Sequence, residues 1–121
     1  MTIYNEKMIR IKRVYEEPSL DDGVRVLVDR LWPRGVSRQR AAIDLWSKES
    51  APSPELRTWF DHRTEKFAEF RIRYLEELSR NQEVEHLKQL ELDNTVLTLI
   101  YGAKNPEVNH ALVLKEYLDL S

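Results

Sequence analysis

Residues 26–35 read VLVDRLWPRG, a short apolar run that leads directly into a charged turn. The apolar residues at 26–28 are consecutive, which is typical of a strand covered on both faces, as in a parallel sheet. Residues 29–35 then predict a rigid turn at the carboxyl end of that strand. Because ligands of α/β proteins bind at this end of the strands, the stretch indicates both a fold class and a place where the protein acts.

Two further strands are predicted on either side of this one, which spans 24–29. Residues 8–15 alternate, with Ile9 and Ile11 on one face, and residues 95–100 are nearly continuous in apolar and β-branched residues. About eight residues join the first two strands, fewer than the dozen or so that a helical crossover needs. Either these strands are antiparallel, or the loop crosses without a helix.

Helices are predicted between the second and third strands and after the third. A Ser-Pro-Glu signal starts a helix over 53–61, and a second helix over 64–80 carries a stripe of large apolar residues. Asn81 is predicted to cap a third helix. An Asn-Pro-Glu signal at 105–107 starts the closing helix, which ends near Leu118. The spacing of apolar residues within 34–52 fits neither the helical nor the strand period. This segment is interpreted as a long ordered loop with a helical turn.

The predicted fold class is α/β: a small, mostly parallel sheet of three or so strands with helices packed on it. It forms one domain over residues 1–121, with 1–7 a poorly ordered extension. The second and third strands are expected to be parallel neighbours, with their carboxyl ends on one edge.

The amino-acid composition excludes several classes of function. Charged residues make up 33% and apolar residues 41%, and the net charge of −2 argues against a general nucleic-acid binder. Residues 25–40 nevertheless hold five Arg against one Asp, a local positive site that suits a small anion. The absence of cysteine excludes disulfides, thiolate metal sites and cysteine nucleophiles. Without a signal-peptide pattern or an apolar run near ~20 residues, a cytoplasmic protein that does not enter membranes is expected.

The first candidate site is the turn after the second strand. Arg30 and Arg34 offer forked donors to a phosphate or carboxylate, and Trp32 offers an apolar wall. Asp29 orients one Arg or serves as a general acid/base. The alternative is a structural one, in which Asp29 pairs with an Arg to hold the loop and Trp32 lies in the core.

The second candidate site follows the third strand. Tyr101, Asn109 and His110 are placed there, near a helix N-terminus that favours anions, and His110 is the other candidate acid/base. Alternatively, His110 packs against the neighbouring loop. His62 follows a helix end and either neutralises it or reaches the pocket. No two of the three His have the helical spacing of a zinc site, so no metal is predicted. The sequence has neither a P-loop nor a dinucleotide-binding glycine pattern, and no cofactor is predicted.

Several motifs resemble the YeaO-like branch of domain-of-unknown-function family 488. They cover the chain from about Ile9 to Leu118, and the most specific is the block Asp29-Arg30-Leu31-Trp32-Pro33-Arg34-Gly35, accompanied by Lys12-Arg13-Val14-Tyr15, Asp21-Asp22-Gly23, Asp44-Leu45-Trp46, Ala51-Pro52-Ser53, Leu56, Arg57, Trp59-Phe60, Phe70, Tyr74, Glu77-Leu78 and Asn109-His110-Ala111. The resemblance implies a small cytosolic α/β protein of bacteria or archaea. It implies no particular activity.

Two functions remain open from the sequence. The first is a pocket for a small anionic ligand, either for binding or for hydrolysis or group transfer without a cysteine nucleophile. The second is a non-catalytic module that contacts a protein or nucleic acid through an exposed Trp/Arg patch. A concave pocket lined by Arg favours the first, and a flat exposed patch favours the second. The sequence gives no oligomeric state.

Overall fold

The computed structural model describes residues 7–120, which form an all-parallel sheet of four strands in the order β1-β4-β2-β3. The strands are β1 (Met8–Arg13), β2 (Val24–Leu27), β3 (Leu45–Trp46) and β4 (Val96–Tyr101). The predicted α/β class is confirmed. The predicted extension at 1–7 falls outside the described residues except for its last residue.

The central strand β4 lies between β1 and β2. Met8 is paired with Val96 on one side, and Val26 is paired with Leu99 on the other. The parallel pairing predicted for the second and third strands of the sequence is therefore confirmed. Since β1 is also parallel to β4, the antiparallel alternative is excluded. The connection from β1 to β2 crosses β4 with only a 3-10 turn, Leu20–Asp22.

Five α-helices occur in the described residues. They are α1 (Arg38–Ala41), α2 (Pro54–Phe60), α3 (Phe67–Ser79), α4 (Glu83–Asp93) and α5 (His110–Leu120), with further 3-10 turns at Lys48–Ser50 and Thr64–Lys66. Ser53 caps α2 as predicted, because its Oγ accepts the N–H of Leu56 at 3.1 Å. Asn81 was predicted to cap α4, but the N-cap position is Gln82, and the bond that Asn81 Oδ1 accepts from the N–H of Glu83 at 2.9 Å forms a local turn before the helix.

The predicted start of the closing helix is wrong. The Oδ1 of Asn105 accepts the N–H of Glu107 at 2.8 Å, but this forms only a local turn. The helix begins at His110, and the side chain of Asn109 accepts the N–H of Leu112 at 3.0 Å. The Asn-Pro-Glu pattern therefore marked an Asx-type turn, and the next Asn along the chain is the cap.

Two further boundaries differ from the predictions. Within residues 34–52 the structure has the helical turn α1, but it also has β3, which the sequence analysis placed in a loop. The helix predicted over 64–80 is a 3-10 turn followed by α3. Strand β3 has only two residues, too few to show a period.

Apolar side chains cover both faces of the sheet. On one face, β1, β2 and β4 pack against α2, α3, α4 and α5, and the predicted stripe of α3 lies here, with Phe70, Tyr74 and Leu78 buried and Phe67 partly buried. On the other face, Leu27 and Ile100 join a smaller cluster with residues of the loops and α1. The consecutive apolar residues at 26–28 are thus buried from both sides.

A buried ion pair joins the β1–β2 connection to the second face of the sheet, the one that carries the smaller apolar cluster. Asp22 lies 2.5 Å from Arg25 Nη1 and 3.1 Å from Lys12 Nζ, and it is 1% exposed. Burial acts to raise the pKa of Asp22, but the Ser19 N–H and the two cations outweigh it, so the pKa lies below its ordinary value of 3.8. The remaining donors of Arg25 reach the carbonyls of Ala41 and Ala42.

No helix among residues 7–120 is long and apolar enough to cross a membrane.

Replacing Phe70 by Ala tests the core stripe. Phe70 is 1% exposed and stacks on Phe60 at 4.2 Å between ring centroids. We expect Phe70→Ala to lower the free energy of unfolding by about 3–5 kcal/mol, as large-to-small changes in a core do. Ile72→Ala on the same helix is the control, because Ile72 is 62% exposed. Urea denaturation of both variants checks this, and equal effects would contradict the assigned burial.

Replacing Asp22 by Asn tests the buried ion pair. Because folding lowers the pKa of Asp22, its carboxylate stabilises the native state above pH ~4, and this contribution is lost as the pH falls below that value. We expect Asp22→Asn to cost about 3–5 kcal/mol at pH 7, and this cost should decrease progressively as the pH falls below ~4. The exposed neighbour gives the control Asp21→Asn, for which a change within about 0.5 kcal/mol is expected. A pH-independent cost for Asp22→Asn would refute the role of its charge.

Candidate functional site

A cavity of about 140 Å³ lies where β2 and β4 end. Parallel strands place these ends on one edge of the sheet, and α2, α3 and the N-terminus of α5 close the cavity from the sides. Its lining residues are Asp29, Arg30, Leu31, Ala51, Pro52, Arg57, Phe60, His62, Phe70, Ala103, Asn109 and His110. Five of the eight sequence-predicted site residues are therefore brought together: Asp29, Arg30, His62, Asn109 and His110.

Asp29 holds the ends of the two central strands together. Its Oδ2 accepts the N–H of Gly102, just after β4, at 2.9 Å. Its carbonyl oxygen accepts the indole N–H of Trp46 at 2.8 Å. A Cβ on Gly102 would lie 2.8 Å from Asp29 Oδ2. The absence of a side chain at this position therefore allows the carboxylate to reach the backbone.

His110 is placed against Asp29 by the first turn of α5. Its Nε2 lies 3.2 Å from the carbonyl oxygen of Val28 in hydrogen-bond geometry and 2.9 Å from Asp29 Oδ1. A carbonyl only accepts, so Nε2 carries a proton and Nδ1 is the nitrogen left for another partner. Asp29 Oδ1 is buried and receives no hydrogen bond of good geometry from the described residues. The pair therefore keeps one unsatisfied acceptor beside the cavity.

Arg30 forms a wall of the cavity. Its Nε and Nη2 donate to the carbonyl oxygens of Pro52 and Ala51 at 3.3 Å, and its Nη1 lies 3.9 Å from the mostly exposed Glu49. These contacts fix the guanidinium between two backbone segments. Its positive charge remains at the cavity, but most of its donors are already used.

Arg57 and His62 come from α2 and the turn that follows it. Neither side chain forms a hydrogen bond or an ion pair with any residue of the range 7–120. Asp61 and His62 both have positive φ values, 48° and 55°, in the left-handed region that favours glycine. Each such residue costs about 1–3 kcal/mol, which marks this turn as a strained element at the rim.

The rest of the lining is apolar. The rings of Phe60 and Phe70 are stacked at 4.2 Å and 20°, and Leu31, Ala51, Pro52 and Ala103 complete this side. The lining therefore combines apolar surface with cationic and imidazole groups.

Asn109 lines the cavity, but its polar atoms are already bonded. Its Nδ2 donates to the carbonyl of Asn105 at 2.9 Å, and its Oδ1 caps α5. Asn109 therefore stabilises the loop and the start of α5, and its side chain has no free polar atom for a ligand.

The other three candidates lie elsewhere. Tyr101 is 2% exposed within the core, where burial raises the pKa of its hydroxyl. Trp32 donates to the carbonyl of Val36 at 2.7 Å and packs edge-on against Trp46 on the other face of the sheet. Arg34 is exposed and is not among the lining residues. The turn after β2 thus directs Asp29 and Arg30 into the cavity and Trp32 and Arg34 away from it.

Sequence reasoning did not single out Arg57 as a site residue. Arg57 and Phe60 are three apart on α2 and so share a face of that helix. That spacing was the available signal, but only the packing of α2 against α3 shows that this face borders a cavity.

No group of three or more His, Cys, Asp or Glu side chains that could hold a metal ion occurs within residues 7–120. His62 and His110 both line the cavity, while His86 lies on α4 beside Glu83 at 3.2 Å.

Comparison with known proteins identifies relatives over nearly the whole chain. Residues 8–121 match the family profile DUF488-N3i, described as "Inactive DUF488-N3 subclade". The chain is 47% identical to "Uncharacterized protein YeaO" of Escherichia coli (strain K12) over 111 residues, which cover 91% of this chain and 96% of the relative. It is 40% identical to "Uncharacterized protein Rv3073c" of Mycobacterium tuberculosis (strain ATCC 25618 / H37Rv) over 114 residues, covering 94% and 96%. No solved structure matches the chain.

Replacing Gly102 by Ala tests the junction between the strand ends. The added methyl group would collide with Asp29 Oδ2, so we expect a loss of about 1–3 kcal/mol in the free energy of unfolding. In an Asp29→Ala background the collision is absent, and the same substitution should cost much less. A thermal or urea double-mutant cycle measures this difference. Equal costs in the two backgrounds would show that Asp29 is not what excludes a side chain at position 102.

Proposed function

Because this chain belongs to the DUF488 family, in its inactive DUF488-N3 subclade, we propose that its cavity binds a small anionic ligand rather than carrying out a reaction. The ligand bears a carboxylate or a phosphate. It enters at the carboxyl edge of β2 and β4 and meets Arg30, Arg57 and the two histidines.

The observation that carries this proposal is the unpaired guanidinium of Arg57 at an apolar cavity. Two guanidinium groups, Arg30 and Arg57, line the cavity against one carboxylate, Asp29. The two histidines aside, the lining therefore has two positively charged groups against one negatively charged group. Arg57 is exposed, so water solvates its guanidinium in the free protein, and it has no carboxylate partner within the described residues. A bound anion supplies that partner.

Binding without catalysis also agrees with the state of the candidate acid/base pair. The Oδ2 of Asp29 is engaged by Gly102, and the Nε2 of His110 is engaged by Val28. Both groups thus serve to fix the geometry of the strand ends. The description of the matching subclade as inactive supports the same assignment. A hydrolase or transferase remains the catalytic alternative, and it would use the free Nδ1 of His110.

The interaction module built on a Trp/Arg patch has weaker support. The indole N–H groups of Trp32 and Trp46 both donate to carbonyls of the chain itself, and the two rings pack edge-on at 5.4 Å. Arg38 lies over the Trp32 ring at 4.4 Å. The tryptophans thus serve the packing of the second face, whereas the cavity has groups that lack partners.

Replacing Arg57 by Ala tests the proposed function. Phosphate, sulfate and acetate are titrated into the protein, and the melting temperature is followed. At about ten times the dissociation constant we expect at least one anion to add about 1.4 kcal/mol, a shift of about 5 °C, and the shift should shrink as NaCl is raised. Arg57→Ala should remove most of the shift without lowering the melting temperature of the free protein, because Arg57 has no partner to lose.

Arg34→Ala is the matched control, since Arg34 is exposed and lies outside the cavity. It should respond to the anions as the unchanged protein does. If no anion stabilises the protein, or if Arg57→Ala and Arg34→Ala behave alike, the cavity is not an anion site.

A further inference from the structure

We infer that the ligand is a monocarboxylate with an apolar body about the size of one ring, such as an aromatic or branched aliphatic acid, in preference to phosphate or a phosphate ester. This inference rests on the proposed function, and it adds the chemical class of the ligand. Three independent properties of the cavity support it: its size and apolar wall, the number of free donors, and the position of Asp29.

The size of the cavity matches a single ring. Its volume of about 140 Å³ is close to the ~150 Å³ of an apolar protein cavity that takes up benzene. The stacked rings of Phe60 and Phe70 form one wall and leave a ring edge or face for the ligand to contact. An inorganic anion would pair with the cationic groups but would leave the apolar side chains of the lining exposed to water.

The free donors at the rim match one carboxylate. The Nε and Nη2 of Arg30 already donate to backbone carbonyls, whereas the whole fork of Arg57 is unused within the described residues. One guanidinium fork binds one carboxylate through two parallel hydrogen bonds. A phosphate offers more acceptor oxygens than this rim supplies donors for. The backbone N–H of Gly102 adds no donor, because it is bonded to Asp29.

The charge of Asp29 disfavours a dianion. Its carboxylate lines the same cavity, and its Oδ1 receives no hydrogen bond from residues 7–120. A second negative charge on the ligand would therefore be repelled at short range in a partly enclosed site. A monoanion balances the single excess positive charge of the lining.

Isothermal titration with benzoate, acetate, phosphate and benzyl alcohol tests the ligand class. We expect benzoate to bind at least tenfold more tightly than acetate, which lacks the ring, and than phosphate, which lacks the apolar body. Benzyl alcohol has the ring without the charge and should bind at least tenfold more weakly than benzoate. Arg57→Ala should lower the affinity for benzoate at least tenfold and leave the affinity for benzyl alcohol unchanged. Arg34→Ala should change neither affinity.

Ala103→Leu separates the two halves of the site. The larger side chain would occupy part of the cavity volume, so the affinity for benzoate should fall at least tenfold, whereas the smaller acetate should keep its affinity. If Ala103→Leu does not fold, Leu31→Ala replaces it, because Leu31 lines the cavity and is 61% exposed. Leu31→Ala should weaken benzoate several-fold with no change for acetate.

The outcomes distinguish the two proposals. If acetate or phosphate binds as tightly as benzoate and depends on Arg57, the cavity is an anion site but the inferred ligand class is wrong. If benzoate and benzyl alcohol bind equally and independently of Arg57, the site is apolar and both proposals fail. If none of the four compounds binds, both fail as well. Arg57-dependent binding of benzoate that is at least tenfold tighter than the binding of acetate, phosphate and benzyl alcohol supports both.

Discussion

The position of β4 between β1 and β2 is the constraint on which the rest of the structure depends. Because β4 is parallel to both neighbours, the ends of β2 and β4 lie on one edge, and the residues that follow them meet there. The bond from Gly102 to Asp29 fixes the distance between these ends. The N-terminus of α5 can then place His110 against Asp29, and the cavity forms between this junction and α2.

Charged groups are used in two different ways in this molecule. Asp22 and Arg25 are buried, but every strong donor and acceptor near them has a partner, so the pair fastens the β1–β2 connection to the sheet. At the cavity, Asp29 keeps an unsatisfied buried oxygen, Asp61 and His62 have left-handed backbone angles, and the exposed Arg57 has no ionic partner within the described residues. Natural proteins retain an unsatisfied buried oxygen or a strained backbone mainly where a ligand or partner uses it. The contrast separates the structural ionic cluster from the candidate site.

Local signals in the sequence were sufficient to predict the central part of the fold. The consecutive apolar residues at 26–28 and the run at 95–100 predicted parallel, doubly covered strands, and Ser53 correctly marked α2. The start of the closing helix was predicted wrongly at Asn105, because an Asx turn and a helix cap use the same hydrogen bond from a side-chain oxygen. Strand β3 is defined only by its pairing with β2. For the site, Asp29, Arg30 and His110 follow from strand ends, but Arg57 depends on how α2 packs, which no local pattern contains.

The sheet order also determines when this protein acquires its structure during synthesis. Among the described residues, the only ladder partner of β1 lies 88 positions later, from Met8 to Val96, and β2 has until then only the two-residue strand β3 beside it. A nascent chain that ends before residue 96 therefore leaves the backbone N–H and C=O groups along one edge of each of these two strands unpaired. Contacts this distant in sequence slow folding and leave such intermediates open to chaperones and to aggregation. Within residues 7–120 the central strand β4 is the last strand to be synthesised, so β1 and β2 can complete their pairing only after it is made.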